Sequence, residues 1–278
     1  MINLNGTVIS PNEVSLSNEN RAFKYGDGVF ETIKIQNNKV VFFEDHYFRL
    51  MASMRMLRMK IPMTFTLEFL QEEILKTVKT ITSDSRTFRA RLTVYRKDGG
   101  LYLPKTNDVD YLIDVAPIDV KSKEVYTVDL FKDFYNYSGL LSTVKTTNRM
   151  LNTIASVFAD ENDLDNCILL NENKGVVEVT NGNIFVVKGN VIKTPALTEG
   201  CIKGVVRKKI IEIIGKNPDY TLEETSISPF EIQKADEVFI TNAIVGVQSV
   251  TNYRKKKFSQ EITQKLQNSL RVLSITGV

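Results

Sequence analysis

Apolar and polar positions alternate with a period of two along Val29-Phe30-Glu31-Thr32-Ile33-Lys34-Ile35, break at Asn37-Asn38, and resume through Val40-Val41-Phe42-Phe43. That period puts successive side chains on opposite faces of an extended chain, so the run predicts a β-hairpin. An earlier hairpin is predicted over 3–15, where short extended runs are broken at Asn5-Gly6 and Pro11-Asn12. Then the period changes. From Asp45 to Arg58 the apolar positions Phe48, Met51, Met54 and Leu57 recur at helical spacing, and Phe65 to Ile81 repeats this with Leu67, Leu70, Ile74 and Val78. Two amphipathic helices follow from those repeats.

Strands are predicted over 86–95 and 111–115, flanking a loop at Lys97-Asp98-Gly99-Gly100. Polar residues thicken from Ile118 onward, and a linker over 119–135 separates a small N-terminal domain, 1–118, from a larger one, 136–278. The second half reads as helices over 148–161, 204–215 and 260–273, with strands between 166 and 194 and over 237–241. A chain of 278 residues exceeds the usual size of one hydrophobic core. The mixed order of elements then predicts an α+β fold in two domains.

Composition narrows the function. With 42% hydrophobic residues, 25% charged residues and a formal net charge of +3, the chain carries no basic excess of the kind that binds nucleic acid. The run Arg254-Lys255-Lys256-Lys257 reads as a solvated face. No stretch approaches the ~20 apolar residues of a membrane span, and Met1-Ile2-Asn3-Leu4-Asn5-Gly6 lacks the basic-then-apolar order of a secretion signal. A cytoplasmic protein without a membrane partner is the expectation. Cys167 and Cys201 are too few for a disulfide framework. His46 is the only histidine, so a His-rich zinc site is impossible and no metal is expected. Lysine, carboxylate or cofactor chemistry remains.

Four segments supply candidates. Lys145 follows an apolar run and precedes a helix, where its amine can point into a cleft and partial desolvation favours the neutral, nucleophilic form. Glu178 is a lone acid in the apolar strand pattern Val176-Val177-Glu178-Val179, and a carboxylate there calls for a cationic partner. Gly200-Cys201-Ile202-Lys203-Gly204-Val205-Val206 is a glycine-bounded turn entering a helix, whose free N–H groups and dipole suit a phosphate. Phe239-Ile240-Thr241-Asn242-Ala243 ends a strand in small polar groups.

These segments resemble, in order and spacing, the fold-type IV enzymes that use pyridoxal 5′-phosphate (PLP): branched-chain aminotransferases, D-amino-acid aminotransferases and 4-amino-4-deoxychorismate lyases. Arg21-Ala22-Phe23-Lys24-Tyr25-Gly26-Asp27-Gly28-Val29-Phe30-Glu31 is similar to that family's R-x-x-x-x-G-D-G-x-F-E signature, and Asp45-His46-Tyr47-Phe48-Arg49-Leu50 to its E-H-x-x-R-L. The resemblance implies a smaller α/β N-terminal domain and a larger C-terminal domain with a barrel-like sheet and helices. It implies a homodimer, with amino acids and 2-oxo acids as small-molecule substrates. It also implies that Lys145 carries PLP as a Schiff base, that Glu178 holds the pyridine nitrogen, and that Arg49 binds the phosphate with His46 behind it. Gly204, Val205, Val206, Asn242 and Ala243 would complete the phosphate site, Thr180 and Asn181 would line the ring, and Phe30, Glu31 and Arg96 fall on the substrate side.

Two departures bear on specificity. The loop after Arg96 has no histidine of the kind D-amino-acid enzymes use, and Lys145-Thr146-Thr147-Asn148-Arg149 resembles the K-x-x-N-R of the lyases. The resemblance therefore implies amino-group transfer through Lys145, with β-elimination of pyruvate from aminodeoxychorismate as the alternative.

Overall fold

A computed structural model describes residues 1–276. The chain divides into two compact units: Met1–Val120 together with Lys145–Asn148, and Lys121–Val144 together with the chain from Arg149 onward.

The first unit is one six-stranded sheet with helices on one face. Its elements are β1 (Ile2–Leu4), β2 (Thr7–Ile9), α1 (Arg21–Tyr25), β3 (Gly28–Gln36), β4 (Lys39–Val40), α2 (Phe43–Met56), α3 (Leu67–Lys79), β5 (Thr87–Arg96) and β6 (Val109–Pro117), with the strands in the order β2-β1-β6-β5-β3-β4. In β3 and β5 the two faces separate cleanly. Val29, Glu31, Ile33 and Ile35 lie opposite Val94, Leu92, Ala90 and Phe88, and all eight are buried. The other face presents Thr32 and Lys34 against Arg91 and Arg89, all partly exposed. Antiparallel partners share a face, so the alternation read from the sequence decides which side the helices cover.

The helices differ from expectation in detail. Phe42 takes a left-handed backbone at φ 52° and Phe43 already begins α2, so the strand ends at Val40, three residues earlier than predicted. Phe48 is 59% exposed, while the expected Met51 and Met54 are buried, and His46 and Leu50 complete the buried side of α2. Thr66 caps α3 by accepting the Phe69 N–H at 3.1 Å.

The second unit contains two five-stranded sheets. Its elements are β7 (Thr127–Leu130), α4 (Met150–Glu161), β8 (Asn166–Leu170), β9 (Val176–Val179), β10 (Asn183–Lys188), β11 (Val191–Pro195), α5 (Val205–Gly215), β12 (Thr221–Thr225), α6 (Pro229–Lys234), β13 (Glu237–Asn242), β14 (Gly246–Val250), β15 (Asn252–Tyr253), β16 (Lys256–Lys257) and α7 (Glu261–Thr276). The strand orders are β12-β11-β10-β13-β14 and β16-β15-β7-β8-β9. Among the described residues they close no barrel, which corrects the expectation of a barrel-like sheet. The expected linker over 119–135 contains β7, which pairs with β8 inside this unit. The faces of the two sheets meet in an apolar core of Val128, Ile168, Val179, Ile184, Val238 and Ile240. On the opposite face of β10 and β13, Phe185 stacks on Phe239 with ring centroids 4.8 Å apart.

Candidate active site

Lys145 is placed by packing between two of the sequence motifs. The four residues Lys145–Asn148 leave the second unit and lie along the start of β3. The Lys145 carbonyl accepts the Phe30 N–H at 2.9 Å, and the Thr147 N–H donates to the Gly28 carbonyl at 2.9 Å. The Thr147 hydroxyl donates to the Gly26 carbonyl at 2.8 Å. A Cβ on Gly26, where φ is +64°, would come within 3.2 Å of Asn148, and one on Gly28 would come equally near Thr147. Gly26 is favoured by its left-handed backbone, and at Gly28 a side chain would be tighter than ordinary contact against Thr147 and the Val94 carbonyl. The Lys145 amine ends 4.4 Å from the centre of the Phe30 ring, close enough for a cation–π contact in its charged form. Arg149 closes the excursion within the second unit by donating to the Val144 carbonyl at 2.9 Å.

Asp27, between those glycines, anchors two buried arginines. Its carboxylate accepts Arg21 Nε at 2.8 Å and Arg96 Nε at 3.0 Å. Arg96 also donates to Asn107 and to the carbonyls of Arg58 and Leu57. Arg96 was expected on the substrate side. All three of its guanidinium nitrogens are instead committed to the fold, and it is corrected to a buried brace of the loop after β5.

Glu31 is likewise reassigned. Its carboxylate is 1% exposed and takes Arg49 Nε at 2.8 Å, Arg49 Nη2 at 2.5 Å and His46 Nδ1 at 2.7 Å. Burial would push this acid up, but the charge and hydrogen bonds of Arg49 and the bond from His46 bring it down to about 2. His46 is moved the other way, its pKa lowered by burial despite Glu31. A neutral ring bonded through Nδ1 to a carboxylate carries its proton on that nitrogen. His46 reaches Arg49 through Glu31, so the carboxylate is occupied by the protein rather than offered to substrate.

In the second unit Glu178 is buried on β9, and its Oε2 accepts the Ile202 N–H at 2.8 Å. Ile202 in turn gives its carbonyl to Asn183 Nδ2 at 2.8 Å. This links the acid to the start of α5. That helix begins at Val205 with Gly204 at its N-cap and no side-chain cap, so its first amides point outward with the positive end of the dipole. A Cβ on Gly204 would press directly onto Asn183 Oδ1. Thr180 donates its hydroxyl to Asn166 Oδ1 at 2.6 Å, and Asn181 Oδ1 accepts from Asn166 Nδ2 at 2.9 Å. Asn242 Oδ1 accepts the N–H groups of Ile244 and Val245, closing the turn that holds Ala243.

A buried carboxylate tied to the mouth of an uncapped, glycine-started helix suits a ligand that pairs a cationic ring nitrogen with a phosphate. That is the donor set of PLP. Sequence reasoning missed Asp27, Asn183 and Asn166, which position the rest. For Asp27 the signal was available, because an acid flanked by two glycines needs a cationic partner once those glycines are packed.

A family model described as amino-transferase class IV matches residues 28–253. The chain belongs to the class-IV aminotransferases. PLP is the cofactor of that family, and the protein is one of its enzymes. A Methanocaldococcus jannaschii protein, provisionally named a branched-chain-amino-acid aminotransferase, is 28% identical over 97% of this chain and 95% of its own. An aminodeoxychorismate lyase from Vibrio harveyi is 23% identical over 83% of this chain and 84% of its own. A branched-chain aminotransferase from the archaeon Thermoproteus uzoniensis, solved with norvaline, superposes with a TM-score of 0.89 at 24% identity, covering 99% of this chain and 94% of that one. Among the described residues no helix is long and apolar enough to cross a membrane, and no cluster of metal-ligating side chains occurs.

Proposed function

We propose that this class-IV enzyme transfers amino groups between amino acids and 2-oxo acids as a cytoplasmic homodimer, with Lys145 as its catalytic lysine. The observation that carries the reading is the hold on Lys145. Its carbonyl is locked to β3 by the Phe30 N–H, Thr147 is bonded to Gly28 two residues on, and its amine rests near the Phe30 ring.

Bound PLP supplies an electron sink for the bonds at the substrate's Cα. The chain's residues do the rest. Lys145 would hold the cofactor through its amine, and the same amine is the base placed to move the proton at the substrate's Cα. Glu178 would present a negative charge to the ring nitrogen and so favour its protonated form. In the second unit the amides of Gly204, Val205 and Val206 would meet a phosphate dianion, with the Asn242-Ala243 turn adding donors; Arg49 is proposed as a phosphate-binding cation on the family resemblance. Arg49 has its orientation fixed by Glu31, and Glu31 by His46. Thr180 and Asn181, held by Asn166, line the ring, and Phe30 borders the substrate. Replacing Lys145 by Ala tests the assignment: amino transfer should vanish while the cofactor still binds noncovalently.

A second reading, β-elimination from aminodeoxychorismate, is favoured by Lys145-Thr146-Thr147-Asn148-Arg149 and by the Vibrio relative. Both reactions begin with the same proton removal. Assaying amino transfer and pyruvate release side by side on one preparation separates them.

A further inference from the structure

β3 has an open edge where it begins. β5 pairs along its whole length, Gly28 to Gln36, but on the other side β4 reaches only Ile35 and Gln36. Residues 145–147 take up the start of that edge. Thr146 forms an antiparallel bridge with Val29, while the Phe30 N–H and the Gly28 carbonyl bond the Lys145 carbonyl and the Thr147 N–H. Lys145 therefore ends a short added edge strand, whose seat is the turn Gly26-Asp27-Gly28. Asp27 ties that turn twice to each of two buried arginines. Its N–H donates to the Arg21 carbonyl at 3.3 Å, its carbonyl accepts the Arg96 N–H at 3.2 Å, and its carboxylate accepts Nε of both. Among the described residues Asp27 is the one acid ion-paired with either arginine. Removing its charge would leave two buried guanidiniums without a counter-ion, and such a loss is costly. It would fall on the residue between the two glycines whose carbonyls hold Thr147.

Resting on Lys145 as the catalytic lysine, we propose that Asp27 is its positioning residue. Through Arg21 and Arg96 the carboxylate fixes the turn on which the lysine's strand is seated. Asp27 then sets how fast the amine captures the cofactor, not how tightly the cofactor is first bound, because the phosphate and ring contacts are assigned to other residues. In capture the amine nitrogen bonds the aldehyde carbon of PLP and water leaves.

The test uses D27N, which keeps the side chain's size and removes its charge, T147V, which removes the hydroxyl bond to the Gly26 carbonyl at the other end of the link, and the double variant. Two measurements are made on the full chain. Amide hydrogen exchange of the PLP-loaded protein compares Phe30 and Thr147, the donors of the two main-chain bonds, with Leu92 and Ile113 in the interior of the same sheet. Growth of the visible band on adding PLP to apo-protein, followed over a range of PLP concentrations, separates the affinity of first binding from the rate of capture. In D27N, Phe30 and Thr147 should exchange at least about tenfold faster relative to Leu92 and Ile113, and capture should slow by a similar factor with first binding changed less than about twofold. T147V should shift exchange and capture in the same direction by about two- to tenfold. The double variant should be within about twofold of D27N, because both changes act through one link. If D27N does not fold, T147V alone decides, and unchanged exchange and capture overturn the proposal. All four amides accelerating alike, affinity and capture falling together, or the two variants' effects multiplying would also overturn it. Faster exchange confined to Phe30 and Thr147, in a protein whose parent carries its borohydride label on another lysine, upholds the hold of Asp27 on this strand and removes the assignment of Lys145 instead.

Discussion

Replacing Glu31 by Gln tests the buried charge cluster under the first unit's sheet. In the folded protein the carboxyl sits at about 2 against an ordinary value of 4.5. A pKa difference of that size, at about 1.4 kcal/mol per unit, corresponds to roughly 3 kcal/mol of stability. Breaking a buried ion pair costs about 3–5 kcal/mol when the remaining partner stays buried. The Arg49 side chain is 13% exposed and reaches water in part, so the lower figure applies. Equilibrium urea unfolding at pH 7 should show E31Q weaker by about 3 kcal/mol, a fall in Tm of roughly 6–12 °C for a chain of this size. The sign with pH follows from the depressed value. The stabilisation is complete above pH 4.5 and is lost as pH falls toward 2, so the gap between parent and variant should hold from pH 8 to about 5.5 and shrink below 4.5. A loss under about 1 kcal/mol, or a gap that stays constant down to about pH 3, would refute the assignment of Glu31 to Arg49 and His46.

Glu178→Gln should retain the cofactor but lose most of its turnover, because a neutral amide does not hold the ring nitrogen protonated; unchanged kcat would return Glu178 to a purely structural role. Arg49→Lys should weaken PLP binding about tenfold without changing the affinity for pyridoxal, since an ammonium cannot hold Glu31 through two nitrogens and still offer a third to the phosphate; spectral titration of apo-protein with both ligands reads the difference, and equal losses for the two would remove the phosphate role. Gly204→Ala should lower PLP affinity more than global stability, because the added methyl displaces the Asn183 side chain that holds Ile202 at the start of α5; an unchanged titration would contradict that geometry.

Much of this architecture is legible in the residues. The period-two run at 29–35 and the helical repeats in α3, α5 and α7 announce themselves, because each buries one face and wets the other. Elements whose burial is not periodic do not. β12, Thr-Leu-Glu-Glu-Thr, is a polar edge strand that pairs parallel with β11, and nothing local distinguishes it from a loop. β14 buries Gln248, whose amide donates to the carbonyls of Lys123, far away in sequence, and of Ser249. Glu31 is different, because its signal was present. It alternates in phase with Val29, Ile33 and Ile35, so it had to face the helices, and His46 and Arg49 stand three residues apart on one side of α2. Phe48 misled for the converse reason: an apolar residue at helical spacing fits a stripe that the buried polar pair in fact occupies. Arg96 reads as a strand-end cation aimed at a ligand, and only the packed loop shows its donors consumed by Asp27, Asn107 and two carbonyls.

The assignment of Lys145 is tested most directly by borohydride reduction of the PLP-loaded protein followed by peptide mapping. The visible band of the bound cofactor should disappear, and one phosphopyridoxyl group should be found on the peptide that contains Lys145, with no other lysine labelled. A label on a different lysine, or a protein that takes up PLP and leaves no lysine modified after reduction, would contradict the account.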